Sequence, residues 1–166
     1  MSKIGTRVDT DYVGCKDTRK STSGGAIMIG NHLIKGWSST QSVIALSSGE
    51  AEYYGMVKGA SVSIGLRGIM SDLGVKAAVR IRTDSSAALG VAKRKGIGKI
   101  RHIEMNQLWL QEKVSDKEIE IIKVRGSENI ADQMAKYTEQ AVFKLHLEQI
   151  KQKIEEGRHE FAPHCE

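Results

Sequence analysis

Small residues recur at every fourth position of the longest helical segment in this sequence, at Ala51, Gly55 and Gly59. Each glycine inside a helix costs roughly 1 kcal/mol relative to alanine, so this segment makes a poor isolated helix. A stripe of small residues, however, lets a helix lie close on a neighbouring element, and that packing offsets the lost propensity. We therefore expect this helix to lie directly against a β-sheet.

The ends of this helix are marked by a capping box and a glycine. Ser47-Ser48-Gly49-Glu50 matches the pattern in which a serine hydroxyl and a glutamate carboxylate satisfy two backbone amides of the first turn. Gly74 is a helix stop. The sequence predicts a helix that begins near Ser48, with the Glu50 side chain folded back toward the Ser47 amide.

Strand and helix patterns surround this helix in an order that defines the fold class. An α/β fold with a five-stranded mixed sheet and helices on both faces is predicted from the order β-β-β-α-β-α-α-β-α. The predicted strands are residues 6–13, 24–29, 32–37, 79–84 and 119–124, and the predicted helices are residues 48–73, 85–93, 102–114 and a last core helix that starts near Ser127.

Apolar residues continue at helical spacing beyond this core. Phe143, Leu147, Ile150 and Ile154 form one stripe, and Gly157 supplies a stop. The repeat is too short for a coiled coil, so we expect a helix that packs back on its own domain. We predict a domain over residues 1–137, with residues 138–166 as a C-terminal helix and frayed tail in the same domain or as an appendage.

Composition narrows the class of protein. The 166 residues are 40% hydrophobic and 27% charged, which suits one domain with a core rather than a disordered chain. Cys15 and Cys165 form no disulfide or zinc pattern, which favours a reducing, intracellular setting. No secretory signal is apparent and no segment reaches the ~20 apolar residues of a membrane span, so we expect a soluble protein. The net charge of +5 favours an anionic partner.

Four acids lie where the predicted elements meet: Asp9 in the first strand, Glu52 in the long helix, Asp84 at the end of the fourth strand and Asp132 in the last core helix. Carboxylates without His or Cys select hard cations such as Mg²⁺ or Mn²⁺. Two such ions about 4 Å apart activate a water molecule and stabilise the leaving oxygen of a phosphodiester. The pattern predicts a site for two Mg²⁺ ions, with Mn²⁺ as the alternative.

Two of these acids have a neighbour of the same type. Glu50 is assigned to the helix cap, whereas Glu52 lies in the helix proper and can face the sheet, so Glu52 is the predicted ligand. Asp9 and Asp11 share one face of the strand and differ only in depth. The residues themselves do not decide between these two aspartates.

Basic and hydroxyl side chains supply candidate contacts to nucleic acid. The segment over residues 93–102 gathers cations around two glycines; on its own such a loop is usually only solvated, but beside a metal site it is suited to grip phosphates. Ser47 and Ser48 either hold a phosphate at the helix N-terminus or act as a cap alone. Arg19 and Lys20 either contact nucleic acid or brace the loop between the first two strands. The predicted contacts in the basic segment are Lys93, Arg94, Lys95, Lys99 and Arg101.

Several segments together resemble the ribonuclease H domain of copia-type (LTR) retrotransposon Pol polyproteins. The resemblance spans about residues 7–136 and lies in residues 8–12, 14–24, 45–53, 83–87, 101–104 and 130–132. It implies a ribonuclease H-like fold and Mg²⁺-dependent cleavage of the RNA strand of an RNA–DNA hybrid, with 5′-phosphate and 3′-hydroxyl products, during reverse transcription. It also implies that the catalytic, metal-binding acids are Asp9, Glu52, Asp84 and Asp132, and that Asp11 is not one of them.

The sequence departs from this family in two places. Cellular ribonucleases H carry a histidine loop before the last aspartate that helps product release, and residues 123–129 contain no histidine. We expect slow turnover, or substitution by Arg125 or Glu128. After Asp132, Met134-Ala135-Lys136-Tyr137 replaces the usual Thr-Lys-Pro-Leu ending, and residues 138–166 lie outside the resemblance.

Other functions on the same fold are a different two-metal nuclease, an integrase, or a hybrid-binding module with weak or no activity. Integrase-like sites place their glutamate last, whereas the order here is Asp, Glu, Asp, Asp. The presence of all four acids disfavours a module that has lost catalysis.

The resemblance also implies partners and a location. The expected substrate is an RNA–DNA hybrid and the expected partner is a reverse transcriptase domain of the same polyprotein, in the cytoplasm, in virus-like particles or in the nucleus. Because the sequence starts directly at the first strand, we expect a processed part of a longer polyprotein. The oligomeric state is left open.

Overall fold

Five strands form one mixed sheet in the order β3-β2-β1-β4-β5. The computed structural model describes residues 2–96, 98, 103 and 107–152. β1 (Ser2–Asp11), β2 (Thr22–Ile29) and β3 (His32–Thr40) form an antiparallel meander, and β4 (Ala77–Thr83) and β5 (Ile119–Lys123) extend the sheet in parallel with β1. The predicted α/β fold with a five-stranded mixed sheet is confirmed.

The helices are distributed over the two faces of this sheet. Those in the described residues are α1 (Ser48–Asp72), α2 (Ser86–Lys93), α3 (Trp109–Ser115), α4 (Asp132–Ala135) and α5 (Gln140–Gln149). None of them is long and apolar enough to cross a membrane.

α1 lies directly on β1, as the stripe of small residues predicted. A Cβ atom added to Gly55 would stand 2.7 Å from Thr10 Oγ1, and one added to Gly59 would stand 2.6 Å from Val8 Cγ1. Both distances are shorter than real Cβ contacts, so only glycine allows this approach. The main core forms between α1 and the sheet, around the fully buried side chains of Ile4, Val8, Ile27, Tyr53, Met56 and Ile81.

α4 and α5 cover part of the opposite face. Ile150, at the end of α5, packs with Ala26 and Met28 of β2 and with Ile130, and Leu147 joins this smaller core. Leu147 and Ile150 of the C-terminal apolar stripe therefore pack back on the sheet. The division of the chain after residue 137 stays a prediction.

Two predicted helices differ from the structure. The helix predicted over residues 102–114 is the short α3, and residues 102 and 104–106 lie outside the described residues. The core helix predicted from Ser127 is wrong: a 3₁₀ turn over Gly126–Glu128 is followed by an extended Asn129, and α4 begins only at Asp132. The Asn129 side chain donates a hydrogen bond to the Val8 carbonyl of β1 from this extended position.

The C-terminal helix is also shorter than the predicted 138–156. It ends at Gln149, and Lys151 takes a left-handed conformation (φ 54°) that stops the helix before Gly157. Residues 153–166 lie outside the described residues.

Candidate functional site

Three carboxylates meet at one edge of the sheet. Asp9 is near the end of β1, Asp84 follows the last residue of β4, and Glu52 is in the second turn of α1. β1 and β4 run parallel with Arg7 opposite Arg82, so the two aspartates leave their strands side by side. One oxygen from each of the three side chains lies within 4.8 Å of the others.

Asp132 adjoins this group without belonging to it. Its carboxyl lies close enough to Asp9 for the two charges to repel, so the first turn of α4 lies beside β1. Lys136, one turn later, places its Nζ atom 2.6 Å from Asp132 Oδ1 and 3.9 Å from Asp9 Oδ2. The structure thus brings all four predicted acids to one edge of the sheet, while their roles as metal ligands and catalytic residues stay predictions.

Burial and repulsion from neighbouring carboxylates make the ionised state of Glu52 and Asp9 unfavourable. Burial, followed by repulsion from Asp9 and Asp84, raises the pKa of Glu52 to about 8. Burial raises the pKa of Asp9 to about 6, although the Lys136 charge opposes the shift. Such shifts arise where like charges gather away from water.

The carboxyl oxygens fit a divalent cation. Asp9 Oδ2 and Glu52 Oε2 are buried and have no hydrogen-bond partner among the described residues. A buried oxygen without a partner costs free energy unless a cation or another donor satisfies it. Since the converging donors are all carboxylate oxygens, this site suits a hard cation such as Mg²⁺ or Mn²⁺.

We expect the stability of the metal-free protein to fall as the pH rises. Glu52 and Asp9 bind protons more tightly in the folded state than in the unfolded chain, so the unfolded state is favoured as the pH climbs from near 4 toward 8. Thermal unfolding in a buffer without divalent ions should give a lower Tm at pH 8 than at pH 5. Millimolar Mg²⁺ should restore part of the loss at pH 8, because it binds the ionised carboxylates.

The control for this pH dependence is Glu52→Gln, which removes the group with the larger shift. Its Tm should depend less on pH over the same range, and Mg²⁺ should raise it less. A Tm that is equally pH-dependent in both proteins would contradict the assignment of the effect to this site.

The two neighbouring acids have other surroundings. Glu50 is buried, accepts a hydrogen bond from the Leu46 amide at 3.0 Å and accepts another from the Tyr54 hydroxyl at 2.9 Å. It therefore serves the start of α1, although it reaches Leu46 rather than the expected Ser47 amide. Asp11 lies beside Gly14, where a Cβ would stand 2.3 Å from its Oδ2 atom, and does not join the three-carboxylate group.

The predicted nucleic-acid contacts that the structure describes lie at the start of α1, in the loop between β1 and β2, and around the end of α2. Ser47 caps α1 by accepting a hydrogen bond from the Glu50 amide at 3.2 Å, and Ser48 is exposed beside it. Arg19 and Lys20 lie in a loop closed by backbone bonds to Cys15, with Arg19 exposed at φ 58°. Lys93, the last residue of α2, and Lys95 are exposed, Arg94 is half-buried, and Lys99 and Arg101 lie outside the described residues. Their roles in binding stay predictions.

Three residues that position the acids were not identified from the sequence. Asn129, fully buried, donates from Nδ2 to the Val8 carbonyl at 2.9 Å and so ties the approach to α4 to β1. Gly24 pairs with Asp9 in the sheet and leaves room for the backbone of α4. Lys136 supplies the counter-charge; its spacing of four residues from Asp132 is the one sequence signal that indicated a contact.

We expect Lys136→Met to increase the stabilisation by Mg²⁺. The Lys136 ammonium balances Asp132 and Asp9, so its loss should lower the Tm of the metal-free protein and remove a competitor for the cation. Thermal unfolding across a Mg²⁺ titration should show a larger Tm gain at a lower half-saturating concentration. Lys144→Met, at an exposed position of α5, is the matched control and should behave as the parent. An unchanged Mg²⁺ response in Lys136→Met would contradict this role.

Comparison with known proteins places the chain beside transposon polyproteins. It is 29% identical over 139 residues to a retrovirus-related Pol polyprotein from transposon TNT 1-94 of Nicotiana tabacum. The matched region covers 82% of this chain but only 10% of the polyprotein. No model of a known protein family matches the chain.

Solved structures identify the fold. A ribonuclease H1 isolated from compost by a metagenomic approach matches with a TM-score of 0.54 at 17% identity, over 81% of this chain and 93% of the other. The N-terminal ribonuclease H domain of a Mycobacterium tuberculosis protein also matches with a TM-score of 0.54 at 17% identity. This match covers 89% of this chain and 98% of the other. The compost enzyme in complex with an RNA/DNA hybrid matches with a TM-score of 0.52 at 15% identity. This match covers 79% of this chain and 92% of the other.

These comparisons confirm the resemblance that the motifs indicated. The sequence relative is a transposon Pol polyprotein, and the fold is that of ribonucleases H. At these identities the solved structures establish the fold, and the chain corresponds to about a tenth of the relative's length.

Proposed function

We propose that this chain is a ribonuclease H that hydrolyses the RNA strand of RNA–DNA hybrids with the help of two Mg²⁺ ions, leaving 5′-phosphate and 3′-hydroxyl ends. The observation that carries the proposal is the convergence of Asp9, Glu52 and Asp84 within 4.8 Å, with Asp132 beside them and joined to Asp9 through the Lys136 ammonium. The fold is shared with ribonucleases H, one of which was solved with a hybrid bound.

The chain's own residues would act by holding charge at the sheet edge. Asp9, Glu52 and Asp84 present oxygens toward one point, and Asp132 completes the set beside Asp9. Divalent cations, when bound there, supply the Lewis acidity that activates water and stabilises the leaving oxygen. The rigid elements that carry the carboxylates keep them in place before the substrate arrives, which reduces the cost of organising the site.

A polar groove on the α1 side of the sheet supports nucleic acid as the substrate. A cavity of about 600 Å³ runs between α1 and the end of β3, and Ser23, which lines it, pairs in the sheet with Thr10, the residue after Asp9. Its other polar lining includes Ser39, Gln41, Tyr54 and Lys58, with Trp109 at one side. Hydroxyl, amide and lysine side chains are the usual contacts to sugar and phosphate groups.

The experiment that tests this function compares substrates. The purified chain is incubated in millimolar Mg²⁺ with end-labelled RNA–DNA hybrid, double-stranded RNA and double-stranded DNA of one sequence. We expect cleavage of the RNA strand in the hybrid alone, no cleavage after chelation of Mg²⁺, and products with a 3′-hydroxyl that a polymerase can extend. Hybrid binding without cleavage would favour the hybrid-binding module, and cleavage of double-stranded DNA would favour another two-metal nuclease.

The polyprotein relative supports a partner. A reverse transcriptase domain of the same polyprotein would position the hybrid, and the chain would act inside the cell during reverse transcription, in the cytoplasm, in virus-like particles or in the nucleus. Addition of that polymerase domain in trans should raise the cleavage rate at low hybrid concentration if it supplies binding that this chain lacks.

A further inference from the structure

A second concentration of charge lies on the face of the sheet opposite α1. Burial alternates along β4, so Ile81 faces α1 while Arg80 and Arg82 face the other way. Arg7 of β1 pairs directly with Arg82 in the parallel register. Like charges opposite each other on neighbouring strands destabilise a sheet. The pairing of Arg7 with Arg82 is therefore unfavourable for the fold by itself.

These arginines surround a cavity. Its volume is about 280 Å³, and Lys3, Arg7, Arg80 and Arg82 all line it, with Gln149 from the end of α5. The absence of a side chain at Gly5 of β1 leaves space for the Arg82 guanidinium, because a Cβ atom there would stand 2.7 Å from Arg82 Nη1. Three arginines and one lysine thus line one small space.

Only one of the three arginines is neutralised by a salt bridge within the described residues. Arg80 binds Glu120 on β5, with Nη2 at 2.6 Å and Nε at 2.7 Å from the same oxygen. Arg7 and Arg82 form no ion pair with any described residue, although the charge of Glu128 reaches Arg7 and that of Glu120 reaches Arg82. The Nε atom of Arg7 is buried and lacks a hydrogen-bond partner among the described residues. A buried donor of this kind requires an acceptor.

We propose that this cavity binds an oxyanion of the phosphate type between Arg7 and Arg82. Planar guanidinium groups match phosphate oxygens with paired, charge-assisted hydrogen bonds, and they do so better than lysine. The volume lies just below the roughly 300–1,000 Å³ of sites for larger small molecules, so phosphate or diphosphate suits it. The ligand is either a free phosphate species or a phosphate group of a nucleic-acid strand.

Binding is tested by calorimetric titration of the full chain with sodium diphosphate. The buffer is freed of divalent cations, so the carboxylate site and its hydrolytic function do not contribute. We expect saturable binding that weakens about tenfold or more in Arg7→Gln and in Arg82→Gln, because each removes a charged hydrogen-bond donor. Arg82→Lys should also weaken binding, since it keeps the charge but loses the paired donors. The absence of saturable binding at millimolar diphosphate would overturn the proposal.

A matched variant and a stability measurement separate binding from structure. Arg67→Gln, on α1, removes an arginine that pairs with Glu118 outside the cavity, and its affinity for diphosphate should equal that of the parent. Without the anion, Arg7→Gln and Arg82→Gln should unfold at the same Tm as the parent or higher, because they relieve repulsion. A clear loss of Tm in both would identify the arginines as structural and overturn the proposal.

The source of the phosphate group is decided by competition. If a short single-stranded oligonucleotide displaces diphosphate and loses affinity in Arg82→Gln, the site takes a phosphate of a nucleic-acid strand. If diphosphate binds and the oligonucleotide does not compete, the site takes a free anion. If hexaglutamate binds as tightly as diphosphate, the site recognises carboxylates and the proposal is wrong.

Discussion

Replacing Glu52 by glutamine is expected to lower hybrid cleavage by about 10²- to 10³-fold or more while leaving the protein folded. The substitution removes one of three converging carboxylates and keeps the side chain's size. Because burial and repulsion raise the pKa of Glu52 to about 8, its ionised form is unfavourable in the metal-free fold. The Tm without Mg²⁺ at pH 8 should therefore stay the same or rise. Initial rates on labelled hybrid, together with thermal unfolding, measure both effects.

Glu50→Gln is the matched control, since it makes the same chemical change two residues earlier on α1. Glu50 accepts hydrogen bonds from the Leu46 amide and the Tyr54 hydroxyl at the start of the helix. Its loss should cost about 1 kcal/mol of stability, typical of a helix cap, with little change in cleavage at a temperature where the variant is folded. A Glu52→Gln protein that cleaves normally, or a Glu50→Gln protein that does not, would reverse the assignment of the two glutamates.

The sequence patterns that predicted the structure correctly depend on residues close together in the chain. α1 begins at Ser48 as predicted because its cap is formed within four residues, where Ser47 accepts from the Glu50 amide. The small residues Gly55 and Gly59 correctly predicted that α1 lies directly on the sheet, because glycines spaced along one helix face allow close contact with a neighbouring element. Strand alternation and the order of elements were enough to derive a mixed sheet.

The structural features that could not be predicted from the sequence depend on contacts between residues far apart in the chain. Asn129 bonds to Val8 across 121 positions, and this contact replaces the helix predicted from Ser127. Periodicity carries no information about such a partner. The same holds for the arginine cavity, since Arg7 and Arg82 face each other only after β1 and β4 pair. Likewise, Asp9 and not Asp11 joins Glu52 and Asp84 only after β1 has paired with β4.

Replacing Gly24 by valine is expected to displace α4 from the sheet. The substitution should reduce both the stability of the protein and its rate of hybrid cleavage. A Cβ at Gly24 would stand 2.5 Å from the Ala135 amide nitrogen and 2.8 Å from the Ala131 carbonyl oxygen. Both atoms are backbone, so α4 must move, and Asp132 moves with it away from Asp9. Overpacking of this kind lowers the free energy of unfolding by roughly 1–3 kcal/mol, and we expect a loss near the upper value because valine is large. Chemical denaturation and hybrid cleavage at low temperature measure the two losses.

The smaller Gly24→Ala substitution distinguishes displacement of α4 from general unfolding. At a temperature where it remains folded, cleavage should still fall, because Gly24 pairs with Asp9 and supports the helix that carries Asp132. Gly65→Ala in α1 is the control: no atom lies within 4 Å of the added Cβ, and stability should rise by about 0.5–1 kcal/mol. If Gly24→Ala were as active as Gly65→Ala, the fourth acid would not need its place beside Asp9, and three carboxylates would suffice for the proposed reaction.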